Sequence, residues 1–289
     1  MRKVIALGFF DSIHIGHRLL IERGKELAEK KEADFALATF GDGFLSALGR
    51  REEEIFLLDE RKEILTGLGV NDVIILPSDR SFLSSGKTEF LEYLSSLNPC
   101  ALICGRDYRF GNKAEGSARD LEIFFGEKGV EVQVLDLLCV NGYKVSSRDI
   151  RNHLKNGGAE AAAKLLGQRF FYEGIVKKGR KDGQKMGFPT VNLDIAPEKI
   201  KIKSGVYVSV TVADGEEYLS VTNVGTHPTF NDGSFNSETY IIGNPGELYG
   251  KKIRVEFICY IREIRKFSDK NELADRIRQD VEYAKEVIK

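Results

Sequence analysis

Val4-Ile5-Ala6-Leu7-Gly8-Phe9-Phe10-Asp11-Ser12-Ile13-His14-Ile15-Gly16-His17 joins an apolar run to a polar, glycine-bearing turn. Val4 to Phe10 has the length and composition of a β-strand. His17 to Lys31 reads as an amphipathic helix with Leu20 and Leu27 on one side. A strand feeding such a turn and helix predicts an open α/β sheet, whose ligands bind beyond the carboxyl ends of the strands. The helix N-terminus there offers unpaired amides and positive potential, which suit phosphate. His14 and His17 add directed N–H donors, and Gly16 removes a side chain that would block close approach. This H-x-G-H cluster predicts attack on a phosphate with loss of pyrophosphate. The two imidazoles would stabilise charge growing on a nucleotide's phosphates, with no covalent intermediate. The competing reading is a pair of surface histidines at a helix start.

Outward from this stretch, strand-like and helix-like segments alternate. Strands are expected at Phe35–Phe40, Val73–Leu76, Ala101–Cys104 and Val130–Leu137, with helices at Glu60–Leu68, Glu89–Leu97 and Ala118–Glu127. The alternation predicts a doubly wound parallel sheet with helices on both faces. Helices at Ser147–Lys155 and Ala159–Leu166 follow, and then the texture changes. Phe170–Val176, Val206–Val212, Tyr218–Asn223, Glu238–Ile242 and Ile253–Ile261 read as successive strands, with turn signals at Asp214-Gly215 and Asn244-Pro245-Gly246. Such a run predicts a small closed barrel or sandwich. Asp269 and Glu272 then signal the start of a terminal helix reaching about Ile288. The domain boundary is placed near Gly167, giving domains 1–166 and 167–289.

Composition narrows the function classes. With 43 Lys plus Arg against 44 Asp plus Glu, the formal net charge is -1, which argues against a general nucleic-acid binder. No stretch approaches the roughly 18 consecutive apolar residues of a membrane helix. The opening apolar run is broken by Asp11 and His14, so a first strand is expected there rather than a signal peptide. Cys100, Cys104, Cys139 and Cys259 lack the spacing of metal pairs and read as reduced, buried thiols of a cytoplasmic protein.

Further clusters carry chemistry. Gly105-Arg106-Asp107-Tyr108-Arg109-Phe110-Gly111 follows the fourth strand, and Val145-Ser146-Ser147-Arg148-Asp149-Ile150-Arg151 opens a helix after the fifth. Hydroxyls at a helix N-terminus, with a guanidinium one turn in, suit a polyphosphate. In the second half, Lys177–Lys185 is a basic, glycine-bearing loop that would otherwise be a solvated hairpin tip, followed by Gly187-Phe188-Pro189-Thr190-Val191-Asn192. In an extended chain Thr190 and Asn192 share a face, and their hard oxygens suit Mg2+ beside ATP phosphates. Gly205-Val206-Tyr207, Asn223-Val224-Gly225-Thr226-His227-Pro228-Thr229-Phe230, Glu238, Leu248-Tyr249-Gly250 and Arg262 come next, in that order.

In this order the motifs resemble the bacterial bifunctional riboflavin kinase/FMN adenylyltransferase (FAD synthetase) family over nearly the whole chain. The resemblance implies an N-terminal adenylyltransferase domain in which His14 and His17 are catalytic. Gly8, Phe10, Gly16, Asp107, Arg109, Ser146, Ser147 and Arg151 would contact nucleotide there. It implies a C-terminal kinase barrel with Glu238 as general base, Thr190 and Asn192 on the magnesium side, Gly183 near the nucleotide, and Tyr249 and Arg262 near the flavin. The implied activity phosphorylates riboflavin to FMN with Mg-ATP and then joins FMN to AMP, giving FAD and pyrophosphate. Departures from the family pattern are Ser12 in place of glycine, Arg148 in place of threonine, Gly41-Asp42-Gly43 where Pro-His-Pro is usual, and Ile241-Ile242-Gly243-Asn244 in place of I-L-D-F. Two alternatives stay open at this stage: a kinase with a degenerate adenylyltransferase half, and a non-catalytic flavin or nucleotide sensor. Expected partners are small molecules, without nucleic acid or membrane, in a monomer or weak homo-oligomer.

Overall fold

The opening apolar run forms β1 (Lys3–Leu7), buried on both faces: Val4 and Ala6 enter one core, Ile5 and Leu7 the other. This two-sided burial is why the run is continuously apolar instead of alternating. The computed structural model describes residues 2–140, 142–177, 187–226, 235–243, 245–265, 267 and 269–288. Packing divides the chain into two units, Met1–Ser147 and Arg148–Lys289.

In the first unit β1 is central in a parallel sheet with β2 (Asp34–Phe40), β3 (Asp72–Leu76), β4 (Pro99–Gly105) and β5 (Glu131–Leu135), in the order β3-β2-β1-β4-β5. Ile5 pairs with Ala36 on one side and Leu102 on the other. The strand order reverses direction between β1 and β4, the place where open α/β sheets bind ligands. One face is covered by α1 (Ile15–Lys30), through Leu20, Ile21, Leu27 and Ala28, and by Leu65 of α2 (Leu58–Gly67). The other face packs against Phe90, Leu91 and Leu94 of α3 (Lys87–Ser96) and Leu121 and Phe125 of α4 (Ala118–Gly126). The doubly wound architecture is as the alternation predicts. The first strand ends at Leu7, short of Phe10, because the backbone turns there: Phe10 and Ile13 take left-handed conformations, with φ of +53° and +43°. The helix starts at Ile15, two residues before the expected His17, with His14 as its N-cap.

The second unit opens with α5, which runs Ser147–Lys155 from the unit boundary, and α6 (Ala159–Leu166). Six antiparallel strands follow: β6 (Phe171–Ile175), β7 (Thr190–Asp194), β8 (Gly205–Ala213), β9 (Glu216–Thr226), β10 (Phe235–Ile241) and β11 (Lys252–Arg262). Their order is β6-β11-β8-β9-β10-β7. The two edges meet where the Lys177 amide donates to the Asn192 carbonyl at 3.0 Å, which nearly closes the sheet into a barrel. Tyr172, Tyr207 and Phe257 pack edge-to-face inside the curl, beside a chain of hydrogen-bonded hydroxyls from Ser209, Ser220, Thr222 and Thr239. The opposite face, through Val206, Val208 and Val221, is covered by Val281 and Ala284 of α7 (Lys270–Val287). Asp269 caps α7 by accepting from the Asn271 and Glu272 amides at 2.7 and 3.0 Å, as the Asp–Glu spacing predicts.

Five strands are expected in this half, and β7 is the sixth, lying within the Pro-Thr-x-Asn segment. Cys104 and Cys259 are buried, Cys100 is half-buried and Cys139 is exposed, all four as free thiols. Cys139 departs from the buried expectation because it lies in a two-residue hairpin strand at the surface.

Candidate active sites

The turn after β1 holds its imidazoles by local geometry. Nδ1 of His14 accepts from the His17 amide at 3.1 Å, so the neutral ring carries its proton on Nε2, as a donor. The two rings stack with centroids 3.7 Å apart and 7° between planes, and Phe10 lies against His17 at 4.8 Å. Gly16 gives this arrangement room, since a Cβ there would stand 3.2 Å from the His14 ring and press on it. Gly8 has a comparable reason: a Cβ would stand 2.7 Å from the Phe10 ring. Burial lowers the His14 pKa, partly opposed by Asp11, and lowers that of His17 further, with the His14 charge adding. Both imidazoles are therefore neutral at neutral pH. They line a cavity of about 230 Å³ together with Gly8, Gly16, Asp107 and Lys144. Asp107 and Lys144 form an ion pair in its wall.

Beneath this turn, Ser147 Oγ donates to Asp11 Oδ1 at 2.7 Å and lies 2.8 Å from Ser12 Oγ. Ser12, one of the departures from the family pattern, thus bonds to the serine motif. The segment lacking Pro-His-Pro is anchored by Arg61, a fully buried residue of α2. Its guanidinium donates to the Phe9 carbonyl at 3.2 Å, Thr39 Oγ1 at 3.2 Å and Asp42 Oδ1 at 3.3 Å, with Glu54 3.6 Å away. Burial pushes the Glu54 carboxyl up to about 7 against the pull of Arg61.

A second cavity of about 490 Å³ shares Phe9 and Tyr108 with the first. Phe40, Phe44 and Phe110 also line it, with Arg50, Arg109 and Lys113 among its walls. Phe40 and Phe44 stack at 3.8 Å. This aromatic chamber is missing from the sequence reading.

In the barrel, pairing register assembles the third cluster. Asn192 on β7 faces Glu238 on β10, Glu238 faces Asn223 on β9, Asn223 faces Val206 on β8, and Val206 faces Arg262 on β11. Directly paired residues project to the same side of a sheet, so these five form one row. Thr190 Oγ1 donates to Glu238 Oε1 at 2.7 Å. Thr190, Asn223, Glu238 and Arg262 line a cavity of about 290 Å³ whose apolar wall includes Val206, Val221, Ile264 and Phe267, with Leu273 and Ile277 from α7. Arg262 is clamped to the buried Asp280 of α7, with Nη2 to Oδ2 at 2.7 Å and Nε within 3.1 Å of both oxygens.

Residues 1–149 match the sequence model of FAD synthetases, and residues 166–288 match that of riboflavin kinases. The bifunctional riboflavin kinase/FMN adenylyltransferase of Bacillus subtilis is 32% identical, covering 98% of this chain and 92% of its own. That of Escherichia coli K12 is 30% identical, covering 98% and 92%. The chain belongs to the bifunctional riboflavin kinase/FMN adenylyltransferase family. A crystal structure of a Streptococcus pneumoniae protein named as a macrolide-efflux protein is also similar, with TM-score 0.88 and 28% identity over 98% of this chain and 94% of that one. Among the described residues of the present family member, no helix is long and apolar enough to cross a membrane.

The site residues expected from the family pattern are distributed unevenly. Gly8, His14, Gly16, His17 and Asp107 line one cavity. Phe10 is fully buried behind His17, and Arg109 faces the aromatic chamber. Ser146 is half-buried, Ser147 joins Asp11 and Ser12, and Arg151 is a buried residue of α5. In the barrel, Thr190, Glu238 and Arg262 share a cavity, and Asn192 stands beside Glu238 on the neighbouring strand. Tyr249 is exposed in the turn before β11, away from that cavity lining. Gly183 lies outside the described residues. The sequence reading missed Lys144, Arg265 and Asp280 as cavity residues.

The neutral histidines give a pH signature. The folded-state pKa of His17 lies well below its ordinary 6.5, so the unfolded chain binds the proton more readily. The stabilisation is present above pH 6.5 and is lost as pH falls towards the folded value. The slope is at most about 1.4 kcal/mol per pH unit for one proton. Melting temperatures between pH 5 and 8 should fall on the acid side for the wild type and less steeply for His17→Gln. Parallel curves would contradict the assignment.

Proposed function

We propose that this enzyme converts riboflavin to FMN at the barrel cavity and FMN to FAD at the stacked histidines. One observation carries the reading. The two chemical clusters line separate cavities, in the halves that match the kinase and the FAD synthetase families respectively. The kinase-only and sensor alternatives are not favoured by these matches.

At the barrel, Glu238 takes the proton of the terminal ribityl hydroxyl as that oxygen attacks the γ-phosphate of ATP. The Thr190 hydroxyl holds Oε1 of the carboxylate in place. The donor set fits magnesium: the Thr190 hydroxyl can bond to Glu238 and still offer an oxygen lone pair, and Asn192 adds an amide oxygen. Two neutral protein oxygens suit an ion that keeps waters and substrate phosphates in its shell. Bound there, Mg2+ would neutralise charge on the ATP phosphates. The apolar wall takes the flavin ring, beside Arg262.

In the first unit, a phosphate oxygen of FMN attacks the α-phosphate of ATP, and the bond to pyrophosphate breaks. The His14 Nε2–H and the first amides of α1 face the growing negative charge, while His17 fixes the His14 ring by stacking. The aromatic chamber takes the isoalloxazine of FMN, with Arg50, Arg109 and Lys113 placed for its phosphate. No nucleophilic side chain is required, since positioning and charge stabilisation suffice.

We assign the reactions to the cytoplasm and propose a monomer or weak homo-oligomer. We propose 166/167 as the functional division; the kinase match beginning at residue 166 supports it. Supplied with FMN and ATP but no riboflavin, the enzyme should release one pyrophosphate per FAD and no ADP. ADP release under those conditions would contradict the assignment of the first site.

A further inference from the structure

Asn223 is on the row that holds the proposed base, yet no motif-based role falls to it. It faces Glu238 across the β9–β10 pair, as Asn192 does from the other side on β7. Its amide oxygen is buried and has no hydrogen-bond partner among the described residues. Buried polar atoms are almost always satisfied, and an orphan facing a cavity asks for a donor from outside the protein. Asn223 lines the same cavity as Glu238, together with the apolar side chains of Ile264, Phe267, Leu273 and Ile277.

The chemistry of the substrate selects the donor. The flavin tricycle belongs against the apolar side chains, so the polyol chain runs along the paired polar row to reach Glu238. Side chains directly paired across antiparallel strands have Cβ atoms about 5 Å apart. Two neighbouring hydroxyls of a polyol can therefore engage the two residues together. We propose that Asn223 Oδ1 accepts a hydrogen bond from a ribityl hydroxyl next to the terminal one, which makes Asn223 the residue that reads the polyol and aims the reacting oxygen at Glu238. This rests on the kinase reading of the barrel.

The test compares two ligands and one near-isosteric change, Asn223→Leu. Flavin fluorescence titrations would use riboflavin and lumiflavin, which has the same tricycle with a methyl in place of the ribityl chain. The variant should bind riboflavin about tenfold more weakly and lumiflavin within twofold of the wild type. Because no donor among the described residues holds this oxygen, the ligand-free variant should melt at or above the wild-type temperature. Equal weakening of both ligands, no weakening of either, or a melting temperature several degrees lower would each overturn the proposal. Wild-type protein that binds neither flavin would overturn the kinase reading, and this inference with it.

Discussion

Glu238→Gln is expected to slow FMN formation by a factor of about 10² to 10⁴, the usual range for removing a positioned general base. Glutamine keeps the shape of the side chain and an oxygen that can accept from the Thr190 hydroxyl, which lies 2.7 Å from Glu238 Oε1 in the wild type. The variant loses the capacity to take a proton and little else. Residual turnover would reflect positioning of the hydroxyl against the γ-phosphate. FAD formation from added FMN should stay within twofold of the wild type, because Glu238 lies in the second unit and the stacked histidines in the first. The measurement is two initial rates, riboflavin to FMN and FMN to FAD, on one preparation. A loss below threefold in the first rate would remove Glu238 from the base role.

His14→Asn should have the complementary effect. Asparagine is a good N-cap, so α1 keeps its start while the Nε2–H donor disappears. Loss of one preorganised donor to a charged transition state costs about 10² to 10³ in rate. FAD formation from FMN should fall by that factor, mainly in kcat, with riboflavin phosphorylation unchanged. A change confined to the KM for ATP would make His14 a ground-state contact only. Loss of both activities in either variant, while it remains folded, would refute the division of labour.

Much of this arrangement is legible in the sequence because the physics is local. The apolar run at Val4–Leu7, the helix after it and the alternation that follows give the parallel sheet. Thr190 and Asn192 are legible as a same-face pair, and their partnership with Glu238 follows from the resemblance. The remainder depends on long-range packing. Arg61 falls inside the expected helix Glu60–Leu68, and only the fold shows it buried with its guanidinium on the Phe9 carbonyl. Phe40 and Phe44 fall at the end of a strand and the start of a four-residue helix, where no periodicity reveals that they stack. Asp280 meets Arg262 because α7 returns across the barrel, and the 18-residue separation carries no signal of it. β7 is five residues long and its Thr190 and Asn192 read as a ligand pair, so its role in nearly closing the barrel is not legible in the sequence.

The central claim is that two phosphate-handling sites work in series within this chain. The most direct test gives purified enzyme riboflavin, ATP and Mg2+ and separates the flavins over time. FMN should rise first and then decline as FAD accumulates. FMN that is never converted, or riboflavin that stays unchanged although it binds, would contradict the claim.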